Sequence, residues 1–366
     1  MKIGIDARFV GPEGTGLGKY TEKLVENLQK IDTQNDYVIF LRKNNWSYLN
    51  ISSRNFQKKL ADVPWYSAGE QIKMPAIYMS QNLDLLHVPH FNVPFLYRKK
   101  FVVTIHDLIH HRFSQESTTT KNPVLFKIKR AGYKLTITNA VKRSEKIIVP
   151  SNFVKNEIVE TFNIKPEKIV VTYEAAEEEY KKPKKQSLGD YILYVGNAYP
   201  HKNLNVLLDA LKIINANNHS SMINLTIVSP RSVFTERLEG EVNKRSLKNR
   251  VKIIGYQEPV QLAKVFVSAR AYVFPSLSEG FGIPGLNAMA AGVPVIASNI
   301  PTLKEIYGDA AAYFNPQDPA DIAQKIKSVT NSPKKIWELT EKGQKQAQKY
   351  SWLKMAEETL SVYKSV

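Results

Sequence analysis

Glu279 heads the segment whose residue types are best suited to gripping an anion, SLSEGFGIPGLNAMAAGVPVIAS at 276–298. Gly280 and Gly282 flank Phe281 and let the backbone turn sharply, and Pro284 suits the first turn of a helix. Amide N–H groups at such a turn, added to the helix dipole, form a phosphate site, where one well-placed donor stabilises a leaving group by about 3 kcal/mol. Glycines alone also make ordinary α/β connections, so the segment needs support from the rest of the chain. A second cluster, HDLIH at 106–110, superficially matches the zinc-protease pattern. That pattern requires a helix, and the preceding FVVTI reads as a strand, so zinc hydrolysis is not expected. A dinucleotide-dependent dehydrogenase would place GxGxxG directly after the first strand and an acid at the end of the second. Here the glycines come about ten residues late and YVIFL runs into Arg42 and Lys43.

The elements that must position these residues alternate regularly. KIGID is followed by a Gly-rich turn and by GKYTEKLVENLQKI, with Leu24, Val25, Leu28 and Ile31 on one helical face. YVIFL, LDLLHV, FVVTIHD, KIIVPS and KIVVTY read as short parallel strands ending in functional loops. The charged stretch EAAEEEYKKPKKQSLGD at 174–190 lacks apolar periodicity and reads as an interdomain linker. The alternation then restarts with YILYVG, NLTIVS, VKIIGY, AYVFPS, VPVIAS and AAYFN, with one helix from about Leu204 and another near Pro319. The tail from Ser351 to Val366 is one more amphipathic helix.

Composition narrows the function classes. With 366 residues, 43% hydrophobic and 23% charged, the chain can bury two cores of ordinary domain size. The absence of cysteine removes disulfides, thiolate metal sites and cysteine nucleophiles, and fits a reducing, cytoplasmic location. MKIGIDARFV has no apolar signal core, and no apolar run of about 18 residues appears, so neither a secretory signal nor a membrane span is expected. The net charge of +17 is uneven: Arg98 to Lys155 holds thirteen Lys or Arg against three acids. Within it, 121–146 carries Leu125, Ile128, Tyr133, Leu135 and Val141 among the cations and no nucleic-acid motif. It reads either as a helix for an anionic membrane surface or as a solvated face, with nucleic acid not expected as a partner.

Segment 276–298 resembles the signature of the family-four retaining glycosyltransferases, in which two glutamates lie eight positions apart around a GFG-like turn. IGIDARF, TGLGKYTEKL, VTIHDL, VPSNFVKNEI and LYVGNAYPHKNL fall in the order that family shows, and together they look most like its bacterial mannosyltransferase-type members. The resemblance implies an α/β chain of GT-B fold with two facing Rossmann-like doubly wound domains. These would be an acceptor-side domain at 1–180, a nucleotide-sugar domain at 187–350, and a helix at 351–366 crossing back to the first. It also implies roles. Glu279 would stand beside the transferred sugar, Lys202 would neutralise the donor diphosphate, and His106 would hydrogen-bond the donor sugar. Gly16 and Gly18, in the loop after the first strand, would let the backbone approach phosphate or acceptor, and Tyr256 would lie near the base. Gly280, Phe281 and Gly282 would form the anion-binding turn. Without that register, Lys202 would read as a surface lysine and Glu279 as a solvated turn residue.

Two positions depart from the pattern. Asn287 stands where the second glutamate belongs, and an amide offers one acceptor oxygen where a carboxylate can receive both ribose hydroxyls. Asn197 replaces an arginine that often follows the glycine after YILYV, a loss for which Arg231 is a candidate replacement. The implied reaction moves a sugar, with mannose from GDP-mannose favoured, to a glycan or lipid-linked acceptor with retention. No metal ion or other cofactor is expected, because Lys202 and the helix amides supply positive potential. The departures keep open a catalytically weak or silent nucleotide-sugar-binding protein, and an epimerase of the same fold is a smaller alternative. Asn287→Glu is expected to lower the dissociation constant of the donor; calorimetric titration finding equal or weaker binding would reject the ribose-clamp reading.

Overall fold

The computed structural model describes residues 1–113, 123–180, 189–216 and 222–366. The chain forms two compact units. The first comprises Met1–His111, the described residues from Pro123 to Glu174, and Ser351–Val366; the second comprises Arg112, Phe113 and the described residues from Ala175 to Tyr350.

The first unit is built on seven parallel strands: β1 (Lys2–Asp6), β2 (Asp36–Leu41), β3 (Phe56–Leu60), β4 (Leu85–Val88), β5 (Phe101–Thr104), β6 (Lys146–Val149) and β7 (Ile169–Val171). Their spatial order is β3-β2-β1-β4-β5-β6-β7. Helices α1 (Thr15–Ile31), α2 (Ala68–Met79), the four-residue α3 (Ile109–Arg112), α4 (Pro123–Arg143) and α5 (Asn152–Phe162) connect them. The central strands β4 and β5 are buried along their whole length, as continuous apolar runs covered on both faces must be. β3 escapes the sequence pattern because it is an edge strand: in FQKKL only Phe56 is buried.

The second unit repeats the scheme with β8 (Tyr191–Val195), β9 (Asn224–Val228), β10 (Val251–Ile254), β11 (Ala271–Phe274), β12 (Val295–Ser298) and β13 (Ala311–Phe314), ordered β10-β9-β8-β11-β12-β13 and all parallel. Its helices are α6 (Leu204–Ala216), α7 (Val233–Lys244), α8 (Pro259–Val267), α9 (Ile283–Ala290), α10 (Pro301–Tyr307), α11 (Pro319–Thr330) and α12 (Pro333–Ala347). The order reverses between β8 and β11, which is where a doubly wound sheet opens a crevice at its carboxyl edge. The first half of the 174–190 stretch is packed: Ala175 and Ala176 are fully buried, and the Tyr180 ring lies 5.2 Å from that of Phe266. Its remainder, 181–188, lies outside the described residues.

The last helix, α13 (Trp352–Lys364), starts where the Ser351 hydroxyl accepts the Lys354 N–H, and it packs on α1 in the first unit. Its buried residues, Trp352, Met355, Ala356, Thr359, Leu360, Val362 and Tyr363, recur at the three-and-four spacing of one helical face. A buried polar chain pins that face. The Tyr363 hydroxyl lies 2.6 Å from Nδ1 of His87 on β4, His87 Nε2 lies 2.8 Å from the Thr104 hydroxyl on β5, and Thr104 meets the Tyr20 hydroxyl of α1 at 3.2 Å. Among the described residues, no helix is long and apolar enough to cross a membrane.

Burial, and secondarily the nearby His106, pushes the His87 pKa down to about 3, so the folded protein holds a neutral ring. The unfolded chain takes up that proton near pH 6.5. His87 therefore contributes stability above that pH that is lost as the pH falls toward about 3, at about 1.4 kcal/mol per pH unit. Urea unfolding at pH 7 and pH 5 is expected to show a steeper acid loss for the wild type than for His87→Asn; equal slopes would contradict this assignment.

Candidate active site

Lys202 and Glu279 are 77 positions apart in sequence and meet at the switch point of the second sheet. The Lys202 ammonium donates to Glu279 Oε1 at 2.6 Å, with side chains only 15% and 10% exposed. Lys202 ends a short 3-10 turn, Pro200–Lys202, in the loop after β8, and Glu279 lies in the loop after β11. Because β8 and β11 are paired neighbours, their carboxyl ends deliver both loops to one place.

Asn203 locks the two loops together. It adopts the left-handed conformation (φ +61°) that closes the Lys202 turn, a geometry asparagine tolerates better than most residues. Its buried amide donates to the Pro275 carbonyl at 3.1 Å and the Pro316 carbonyl at 2.7 Å. The Leu277 N–H donates to the His201 carbonyl at 2.8 Å, completing the join. Sequence reading passed over Asn203, although an asparagine closing a Pro-initiated turn was a usable signal.

The Gly-rich turn is held from behind. Gly282 (φ +104°) caps α9, the Tyr307 hydroxyl donates to the Gly282 carbonyl at 2.5 Å, and the Thr302 hydroxyl donates to the Glu279 carbonyl at 2.9 Å. Pro284 removes one amide donor and the Gly285 N–H folds back on Gly282, so the Ile283 amide is the first of the helix without an intrahelical acceptor. Gly280 is buried in this turn. The Phe281 ring is 4% exposed and edge-on to Tyr350, so it anchors the turn from inside. Burial, and then the Glu279 charge, holds the Tyr272 phenol well above its usual range and keeps it neutral beside the ion pair.

The departing positions have their own partners. Asn287, 6% exposed, accepts the Glu177 N–H on its Oδ1 at 3.0 Å, which ties the start of the second unit to α9. The Asn197 carbonyl accepts the Tyr194 hydroxyl at 2.8 Å, while its buried Oδ1 has no hydrogen-bond partner. Arg231 is exposed in the loop between β9 and α7, and Tyr256, 57% exposed, follows β10.

In the first unit, His106 follows β5, and its Nδ1–H donates to Glu174 Oε1 at 3.0 Å while the Tyr20 ring meets it edge-on at 4.7 Å. Glu174, 5% exposed, fixes the orientation of the imidazole and carried no sequence signal, since it sits in a run of acidic residues. His106 lies outside α3 and His110 within it, so HDLIH does not form one helical face. Gly16 and Gly18 lie in the first turn of α1, which begins at Thr15 and takes in what reads as loop. Gly18 serves a close approach inside the unit, since a Cβ there would stand 2.4 Å from the Phe9 carbonyl oxygen; at Gly16 a Cβ would meet nothing within 4 Å. The charged pair of IGIDARF is internal: Arg8 bonds Asp6 at 2.7 Å and Glu70 at 2.6 Å, all three buried. On α4, Val141 turns into the core, Tyr133 packs against it and Leu135 is 64% exposed; the side chains of Leu125 and Ile128 lie outside the described residues.

Two family models match the chain: Glycosyltransferase Family 4 over residues 15–179 and Glycosyl transferases group 1 over 175–349. It is 27% identical over 337 residues to the O-antigen chain mannosyltransferase RfbU of Salmonella typhimurium, covering 89% of this chain and 90% of that one. It is 28% identical over 291 residues to O-antigen chain mannosyltransferase B of Escherichia coli, covering 76% and 74%. Among solved structures, WaaG, a glycosyltransferase of lipopolysaccharide biosynthesis, superposes with a TM-score of 0.75 at 14% identity over 98% of this chain and 99% of that one. Anabaena HepE in complex with UDP and glucose gives 0.74 at 14% identity over the whole of both chains.

A Cβ at Gly285 would stand 2.2 Å from the Tyr307 hydroxyl oxygen and 2.4 Å from its ring. Gly285→Ala is therefore expected to lower unfolding stability by about 1–3 kcal/mol, the usual cost of overpacking. Chemical denaturation showing no loss would mean that Tyr307 moves aside without penalty.

Proposed function

The chain belongs to the family-four glycosyltransferases and has their GT-B fold, and on that premise we propose that it is a retaining, metal-independent mannosyltransferase using a GDP-sugar. The single observation carrying this reading is the Lys202–Glu279 ion pair beside the Gly-rich turn at the mouth of β8 and β11. An ammonium there draws a diphosphate oxygen, and with the first amide of α9 it opposes the negative charge that grows as the leaving group departs. That positive potential does the work a divalent cation does in other transferases. The Glu279 carboxylate, released in part from Lys202 when the anion arrives, accepts hydrogen bonds from hydroxyls of the transferred sugar. His106, oriented by Glu174, is the proposed further partner of that sugar.

The anomeric carbon loses its bond to the diphosphate oxygen and gains one to the acceptor oxygen on the same face, and the acceptor proton passes to the departing phosphate. The O-antigen chain mannosyltransferase relatives support mannose as the sugar, and the proposed acceptor is a glycan or lipid-linked hydroxyl. The exposed lysines of α4 among the described side chains, Lys134 and Lys142, are proposed to face the anionic membrane carrying such an acceptor.

A thermal-shift screen of GDP, UDP, ADP and their sugars is expected to favour GDP compounds, since a ligand at 100 times its dissociation constant stabilises by about 2.7 kcal/mol. Lys202→Ala is expected to lower kcat by roughly 10²–10³ while the protein remains folded. Proton NMR of the product is expected to show the donor's anomeric configuration. An inverted product would refute retention, and preference for another base would refute GDP. Failure to release nucleoside diphosphate from any sugar would favour a silent binder.

A further inference from the structure

A second concentration of positive charge stands well away in sequence from the Lys202 loop, in the first unit. A cavity of about 240 Å³ is lined by His111, Lys134, Thr138, Lys142, Thr161 and Phe162. Its volume falls below the range of about 300–1,000 Å³ usual for whole drug-sized ligands, and so suits a small group or the head of a larger molecule. Lys134, Thr138 and Lys142 are four residues apart along α4 and share one helical face. Thr161 and Phe162 close the far wall from the end of α5, and His111 enters from α3.

The lining has donors and no acid. Lys134 and Lys142 are exposed, and no ion pair is formed by either among the described residues. Glu157, on α5, stands one turn before Thr161 and does not line the cavity. His111 is wedged between Phe162 and Tyr133 at ring distances of 5.9 and 6.2 Å, and its buried Nδ1 has no hydrogen-bond partner. A buried polar nitrogen without a partner is unusual enough to call for one. Burial lowers the His111 pKa, and Lys134 and then Arg130 lower it further, which places two cationic groups near the ring. Arg130, which does not itself line the cavity, has a second buried nitrogen without a partner, its Nε. Like charges in a lining that holds no acid repel one another until an anion joins them.

We infer that this cavity binds a phosphoryl group, a phosphomonoester or a diphosphate, between the ammonium groups of Lys134 and Lys142, with the Thr138 and Thr161 hydroxyls as further donors. Lysine serves such groups as a point charge, and hydroxyls complete the coordination of phosphate oxygens. The inference does not depend on the identity of the donor or on the chemistry at Lys202. Two sources share this chemistry, a soluble phosphate compound and a phosphomonoester headgroup on a membrane, and binding experiments separate them.

The full chain carrying Lys202→Ala, which removes the other anion-binding ammonium, is titrated with pyrophosphate by calorimetry, and sedimented with vesicles of phosphatidic acid in phosphatidylcholine. The same measurements are made after adding Lys134→Gln and Lys142→Gln, and separately after adding Lys99→Gln and Lys100→Gln, two exposed lysines outside the cavity. The cavity pair is expected to weaken binding by about tenfold or more, as loss of charge-assisted hydrogen bonds does, and the control pair by much less. Loss confined to pyrophosphate assigns the cavity to a soluble compound, and loss with vesicles assigns it to a headgroup. Equal losses from both pairs would reduce the effect to diffuse surface charge and overturn the proposal, as would no binding of either probe before the glutamine changes. Unchanged thermal unfolding of the variants shows that the fold is intact, as substitution of exposed lysines predicts.

Discussion

An ammonium and a carboxylate 2.6 Å apart and nearly out of solvent stand where the second sheet reverses its strand order, and the surrounding architecture keeps them together. Each charge loses hydration on burial, and the mutual attraction compensates only when the geometry is held firmly. The hold comes from the sheet. Parallel pairing of β8 with β11 brings two loops to one edge, the Asn203 amide clamps them, and Tyr307 and Thr302 brace the Gly-rich turn from beneath. The proposed function uses this pair by exchange, with a phosphate taking over the ammonium while the carboxylate finds hydroxyl donors.

The first unit applies the same principle to neutral and charged groups it never exposes. Arg8, Asp6 and Glu70 satisfy one another where β1 leaves the sheet, with Tyr78 donating to Asp6 at 2.8 Å and Asn92 donating to Glu70. His87 joins the tail helix to the sheet through Tyr363 and Thr104, and the Glu174 carboxylate aims His106. Buried networks of this kind are costly when half-satisfied and rigid when complete. The tail helix is thus an integral wall of the first unit, tied by hydrogen bonds as well as by its apolar face.

Much of this was legible in the residues. Twelve of the thirteen described strands correspond to apolar runs in the sequence, and for the central ones the cause is burial on both faces. The exception, β3, is an edge strand with lysines, and its identity depends on pairing with β2. Helix α12 was also missed: its polar face, rich in lysine and glutamine, dominates the pattern, and only Gly343, Gln346 and Ala347 are buried. Gly16 and Gly18 read as loop because glycine signals freedom, whereas Gly18 is required by the nearby Phe9 carbonyl.

Residue types and their order determined the strand count of each sheet nearly in full, the family, and the individual candidates Lys202, Glu279 and His106, because periodicity and local motifs are properties of neighbours along the chain. Tertiary structure alone decided which of them meet. Lys202 joins Glu279 across 77 positions, Glu174 reaches His106 across 68, and Asn287 turns to the Glu177 amide across 110. Contacts over such separations follow from the order of strands in a sheet and from the burial of polar groups that must find partners, and neither is written in any local stretch of sequence.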